Sequence, residues 1–546
     1  MNRRLAIWIP LMMALVMALG IQIGLLLRNS KQTALFAGSK LNTMEEVLDY
    51  VQAKYVDTVN VGQLEEGAIG DILEHLDPHS TFIPASDLKN VNQELEGNFE
   101  GIGIEFFLVA DTITVVNVIS GGPAEQVGLQ AGDKIITIND TSFTGEHIQD
   151  IDVVNHLRGP KGSKVTVGIK RRGVLKALSF TITRDKIPMY SIDASYMIDD
   201  KTGYIKINRF SETTYDEFIN AVKKLKLDGM KELVIDLRQN GGGLLNAATD
   251  ITDELLDQQK LMVYTKGRVY SRLDYKTRVL GEYEEGPLAV LIDEGSASAS
   301  EIVAGAMQDW DRAVIVGRRS FGKGLVQEQY GLSDGSALRL TVAKYYTPSG
   351  RCIQKPYDHN ISNYYGEVMN RYHDGEVLNA DSVHLNDTVK YYTSKGRVVY
   401  GGGGIMPDVF VPLDTSNNGN EFLTAVLNQG LIQQFSYSWF HDHAAMLSAF
   451  SSINDYRKNY QVSGDVFNAF INYAAKNNVK GNEDEENRAR NFIELRIKAF
   501  FAREKFSSDS FYRVVNDEDP VIGAAMQSMK KEVTAFNGSA SQHAQK

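Results

Sequence analysis

Three serines alternate with alanines in Asp293-Glu294-Gly295-Ser296-Ala297-Ser298-Ala299-Ser300-Glu301, between the apolar run Leu288–Ile292 and the helix-forming pattern Ile302–Met307. Hydroxyl groups clustered where a strand turns into a helix meet unpaired backbone N–H groups and the positive end of the helix dipole. That environment stabilises negative charge developing on a bound carbonyl oxygen. A serine there is a candidate nucleophile for acyl transfer; the plainer reading is that Ser296, Ser298 and Ser300 only cap the helix.

A serine hydroxyl needs a base. No histidine occurs between His156 and His359, so a lysine is the main alternative. Lysine accepts a proton near neutral pH only when desolvation lowers its pKa. Lys323 lies between Gly322 and Gly324 among apolar residues, after the buried-strand pattern Ala313–Val316. If the chain is extended from Lys323, a period of two puts Lys323, Leu325 and Gln327 on one face. A neutral amide at Gln327 orients the amine without holding it charged, as a carboxylate would. The strand pattern Leu233–Leu237 runs into Arg238-Gln239-Asn240-Gly241-Gly242-Gly243, where glycines allow a backbone N–H to approach a substrate carbonyl.

Asp236-Leu-Arg-Gln-Asn-Gly-Gly-Gly243, Gly295-Ser-Ala-Ser-Ala-Ser-Glu-Ile302, Gly322-Lys323-Gly324 with Gln327, and Tyr345-Tyr-Thr-Pro-Ser-Gly350 together resemble the carboxyl-terminal processing peptidases, or tail-specific proteases, in order and spacing over about residues 40–415. The resemblance implies Ser298 as nucleophile, Lys323 as general base, Gln327 as the residue that positions the lysine, and the Gly242 and Ala299 N–H groups as the oxyanion hole. It also implies a crotonase-like α/β core over 188–415 in a multidomain α/β chain, and no cofactor or metal. Asp293 departs from the family, which more often has asparagine there.

Residues 97–187 resemble a PDZ domain. Gly101-Ile102-Gly103-Ile104 would be its carboxylate-binding loop, supported by Gly121-Gly-Pro-Ala124 and Gly132-Asp-Lys-Ile-Ile-Thr-Ile-Asn139. Such a loop offers N–H groups to a peptide's terminal carboxylate while the peptide adds as a strand. Apolar C-termini are the expected ligands.

Residues 5–27 are nearly all apolar behind Arg3 and Arg4, long enough to span a bilayer. The sequence therefore predicts an uncleaved single-pass anchor (1–30) in the inner membrane, with the catalytic mass in the periplasm or extracytoplasmic space. A helical region (31–96) follows, and after the core comes a helical C-terminal domain (416–546) of unknown role. Residues 357–392 are expected as a surface insertion, and 537–546 as a disordered terminus. Delivery by an adaptor or lipoprotein and homo-oligomerisation fit the sequence without being specified by it.

Other chemistries weigh less. Gly317-Arg-Arg-Ser-Phe-Gly-Lys323 fits a phosphate loop, but Gly324 lacks the hydroxyl needed for Mg²⁺ and a strand follows instead of a helix. Pro78 breaks the helix that would align His75 with His79 for a metal, and His441 and His443 do not share a helical face. The single cysteine, Cys352, excludes an internal disulfide. A net charge of −12 argues against general nucleic-acid binding. The rival readings are an inactive PDZ scaffold and an acyl-CoA hydratase or isomerase. The first should have lost one of Ser298, Lys323 or Gln327; the second has no use for a PDZ module.

Overall fold

The computed structural model describes residues 43–109, 112–145, 148–383 and 389–543, with isolated positions between 12 and 22; for 532–543 it describes the backbone. Residues 1–72 and 73–546 form two compact units. The first contains the helices Thr43–Lys54, which has no buried residue, and most of Val61–Glu74. Among the described residues no helix is long and apolar enough to cross a membrane, and the span expected at 5–27 lies mostly outside them.

The second unit is built on a six-stranded sheet in the order Ile192–Met197, Thr202–Ile207, Glu232–Asp236, Leu288–Ile292, Val314–Gly317, Val409–Phe410, parallel after the first pair. The sequence alternation sorts its two faces. Leu233, Ile235, Leu288, Val290 and Ile292 pack with Phe218, Val222, Ile251, Ile302 and Met307 from the helices Thr214–Leu227, Leu245–Asp253 and Ala299–Asp309. Val234, Ala289, Leu291 and Val316 face the other way, onto Val521, Ile522, Ala525 and Met529 of the helix Pro520–His543. A parallel sheet needs both faces covered. The expected boundary at 415 therefore divides what the fold joins, because the C-terminal helix completes the core. The same helix runs through His543, where composition predicted disorder from 537.

An antiparallel five-stranded sheet pairs Ala337–Tyr346 with Thr81–Ile83, Leu261–Lys266 and Leu325–Gly331, and Leu273–Lys276 with Leu261–Lys266. Residues 97–188 make a separate barrel-like layer: Ile104–Val109, Thr112–Val118, Lys134–Ile138, Lys164–Lys170 and Leu178–Thr183 in one sheet, with the helix Asp150–Leu157. The ribbon Asn98–Gly101 with Asp185–Pro188 leads into and out of it. The expected insertion at 357–392 carries the helix Ile361–His373, and its Tyr364 and Arg371 are buried against the lysine loop's surroundings.

Between Leu431 and Val515, helices pack on a core of their own that includes Phe435, Phe467, Phe470, Ile493 and Phe501. This layer touches both neighbours. The Tyr437 hydroxyl donates to the Val115 carbonyl at 2.9 Å, and the Tyr512 hydroxyl donates to Asp193 Oδ2 at 2.8 Å.

Candidate active site

The three serines are not equivalent. Ser296 and Ser300 are fully buried, and their hydroxyls donate to the carbonyls of Leu237 (2.8 Å) and Asn240 (2.9 Å), lashing the serine loop to the glycine loop. Ser298 lines an open cavity of about 230 Å³ together with Lys323, Gln327, Gly241, Gly243 and Ala299. Its backbone has φ 54° and ψ −111°, a conformation strained for any residue with a Cβ, and such strain concentrates where a side chain must be presented to a ligand.

The surroundings hold that strain in place. The Ser298 N–H donates to Glu301 Oε2 at 2.9 Å, and its carbonyl accepts from the Glu301 N–H (2.9 Å), the Ile302 N–H (3.0 Å) and the buried Tyr345 hydroxyl (3.1 Å). Glu301 is fully buried and also accepts from Ser320 Oγ (2.5 Å) and from the N–H groups of Gly322 (2.7 Å) and Lys323 (2.8 Å). One carboxylate thus joins the backbone of the nucleophile loop to that of the lysine loop. Burial pushes its pKa up, and these hydrogen bonds oppose the rise.

Lys323 precedes its strand, which begins at Leu325 and shifts register between Val326 and Gln327. The unpaired residue at that shift is Val342 of the partner strand, and Lys323, Leu325 and Gln327 all line the cavity. The Lys323 amine reaches Gln327 Oε1 at 3.1 Å, and it makes no ion pair among the described residues. Burial, aided by the Arg339 charge, lowers its pKa, while Asp77 and Glu301 pull the other way. The Gln327 amide nitrogen donates to the His79 carbonyl, which leaves its oxygen for the lysine. The His79 ring is buried, pairs with the Tyr364 hydroxyl at 3.0 Å, and is held neutral with a pKa near 4, first by burial and then by the Lys323 charge. The lysine amine and the Ser298 hydroxyl share the cavity without a hydrogen bond between them.

Gly242 has φ 100°, and a Cβ there would lie 2.7 Å from the Ala297 carbonyl oxygen and 2.8 Å from Ser298 Cβ, so only glycine fits. Its N–H donates to Asn240 Oδ1 at 2.9 Å. The Ala299 N–H, at the first turn of its helix, has no hydrogen-bond partner among the described residues. Of the two expected oxyanion donors, one is thus open and the other is occupied by a side chain. Asp293 accepts from the Gln239 N–H (2.8 Å), Gln239 Nε2 (2.8 Å) and the Gly295 N–H (3.0 Å), a wholly acceptor role that suits a carboxylate where asparagine was expected.

The model for peptidase family S41 matches residues 201–361, which hold every one of these loops. A carboxy-terminal-processing protease of Bartonella bacilliformis is 40% identical over 314 residues, covering 57% of this chain and 71% of that protein. The chain belongs to peptidase family S41. It is accordingly a serine-type protease. The carboxy-terminal processing protease CtpB of Bacillus subtilis is 36% identical over 324 residues, covering 58% of this chain and 66% of its own. A PDZ model matches residues 114–171, and a family of unknown function matches 422–507. Among solved structures, a photosystem II D1 C-terminal processing protease aligns at 28% identity over 67% of this chain and 86% of that one, with a TM-score of 0.34. The PDZ domain of a Vibrio cholerae carboxy-terminal protease, in complex with a peptide, aligns at 34% identity over 16% and 97%, with a TM-score of 0.16.

In this S41 peptidase the PDZ loop Gly101–Ile104 lines a cavity of about 150 Å³ with Phe106, Val154 and Leu157. The Ile102 and Gly103 carbonyls accept from Ala124 (2.9 Å) and Ile119 (3.0 Å), while their own N–H groups have no partner among the described residues. Sequence reasoning left Glu301 and Tyr345, both inside the quoted motifs, without roles, and weighed His79 only as a metal ligand. A buried acid in a serine-rich turn was the available signal for Glu301. Nothing local announced His79, which meets Gln327 across the fold.

Proposed function

We propose that the chain is an endopeptidase in which Lys323 removes the Ser298 proton as the serine oxygen attacks the scissile carbonyl. The acyl-enzyme then forms, the leaving amine takes the proton back, and the same lysine deprotonates water for hydrolysis. The observation that carries this reading is the pairing of the strained, cavity-facing Ser298 with a desolvated lysine whose amine has, among the described residues, a neutral amide as its one hydrogen-bond partner. The Ala299 N–H would receive the oxyanion together with the Gly242 N–H once Asn240 releases it. Ordering of the glycine loop by bound peptide is the step that would release it.

In this reading the PDZ groove takes apolar substrate C-termini, the protease sheet is crotonase-like, and residues 5–27 anchor the enzyme in the inner membrane with its catalytic part outside the cytoplasm. The test is cleavage of an unfolded protein with an apolar C-terminus by the chain from residue 31, beside Ser298→Ala and Lys323→Ala. Cleavage by the wild type alone supports the dyad, and equal cleavage by all three contradicts it. A wild type as inert as both variants favours the scaffold reading.

A further inference from the structure

The cavity that holds Ser298 has two kinds of wall. Leu95, Leu244, Leu245 and Ile302 are apolar, and Arg339 is charged. Arg339 sits in the middle of the antiparallel sheet, opposite Thr81 on one side and Gln329 on the other. It is half-buried, and among the described residues its guanidinium makes one hydrogen bond, from Nη2 to Gln329 Oε1 at 3.1 Å.

No carboxylate forms an ion pair with it among the described residues. Glu94 acts on it only at longer range. Asp77 is an acid whose charge acts on the lysine. Its carboxylate is already taken by the His79 N–H (2.8 Å), the Ser80 N–H (2.9 Å), the Ser80 hydroxyl (2.6 Å) and Thr341 Oγ1 (3.0 Å). A partly desolvated cation without an anion is costly, and a carboxylate brought by a ligand would supply the missing charge. Here the other cation in the cavity is the lysine, which must be neutral to act as base, so Arg339 is the charge that remains.

We propose that Arg339 is a specificity residue that binds a carboxylate of the peptide lying in the cleft, beside an aliphatic group on the leucine wall. This rests on the protease reading of the same cavity. Two substrate features have that chemistry: a Glu or Asp side chain near the scissile bond, and the terminal carboxylate of a substrate cut close to its C-terminus. The anion would also offset part of the repulsion by which Arg339 helps lower the Lys323 pKa. Acidic substrates should therefore bind better and require a higher pH for the same turnover.

The test is a panel of fluorogenic peptides that differ only by Glu, Gln or Lys at successive positions around the scissile bond, each with a free or amidated C-terminus. They are assayed with the wild type, Arg339→Gln and Arg339→Lys. The expected result is a preference of about 10-fold in kcat/KM for the carboxylate, equivalent to about 1.4 kcal/mol, carried mainly by KM. It should be lost in Arg339→Gln and partly kept in Arg339→Lys. Loss on amidation alone assigns the terminal carboxylate, and loss on Glu-to-Gln exchange alone assigns the side chain.

The preferred peptide should also move the ascending limb of the kcat–pH profile to higher pH, which a merely structural arginine would not cause. Equal cleavage of all peptides by the wild type, or a preference that survives in Arg339→Gln, overturns the subsite and leaves the protease reading intact. Absence of Ser298-dependent cleavage of every peptide overturns both.

Discussion

Gln327→Glu tests the logic of the lysine base. The substitution places a carboxylate where an amide oxygen now lies 3.1 Å from the lysine amine. At that distance and an effective dielectric of about 20, a charged lysine is favoured by about 5 kcal/mol. Gln327 is half-buried, so solvent screening reduces the effect to roughly half. The remaining 2 to 3 kcal/mol, at about 1.4 kcal/mol per pH unit, moves the ascending limb of the profile up by about 2 pH units.

The sign follows from the base having to be neutral: a stabilised ammonium raises its pKa, and the neutral fraction at a fixed lower pH falls about 100-fold. The carboxylate also loses the amide's donation to the His79 carbonyl. Gln327→Met removes both contacts without adding charge, so it should lower kcat with no alkaline shift. The assay is kcat/KM on a fluorogenic peptide from about pH 6 to 10. A Gln327→Glu profile that coincides with the wild type, or that moves to lower pH, would refute the argument.

Three further outcomes are expected. Gly242→Ala forces a Cβ to within 2.8 Å of Ser298 Cβ, so kcat should fall at least about 100-fold while circular dichroism shows an intact fold; an unchanged kcat would mean the glycine loop does not shape the site. Ile522→Ala, at a position 2% exposed under the core sheet, should cost about 2–4 kcal/mol in urea unfolding, whereas a purely accessory C-terminal helix would leave the midpoint in place. Glu367 is raised by burial but pulled down to about 2 by Arg371, Lys355 and Arg319. It therefore contributes stability that is present above its ordinary pKa and is lost as pH falls from about 4.5 towards 2. Glu367→Gln should flatten that part of the stability–pH curve, and a curve as steep as the wild type's would contradict the assignment.

What the sequence made legible was local. The runs at 233–237 and 288–292 read as buried strands, and the fold buries every residue of them, successive ones facing opposite sides of the sheet. The choice of Ser298 over Ser296 and Ser300 came from resemblance, because an alternating Ser-Ala run looks the same at each serine. The structure separates them by what their hydroxyls bind. The register shift opposite Val326 escaped notice because its extra residue, Val342, belongs to the partner strand Ala337–Tyr346 and leaves no mark in the lysine strand's own composition. The link from Gln327 to His79 spans 248 positions and belongs to tertiary packing alone. The C-terminal helix was legible in part: Val521, Ile522, Ala525 and Met529 have helical spacing on one side. No periodicity says which surface such a stripe will cover.

The most direct measurement of the central claim is to trap the acyl-enzyme. The wild type, Ser298→Ala and Lys323→Ala are mixed with an activated peptide ester, quenched in acid and mapped by mass spectrometry. The account predicts an acyl adduct on the peptide containing Ser298 in the wild type, none in Ser298→Ala, and little in Lys323→Ala until the pH is raised. An adduct on another residue, or one formed equally fast without Lys323, would contradict it.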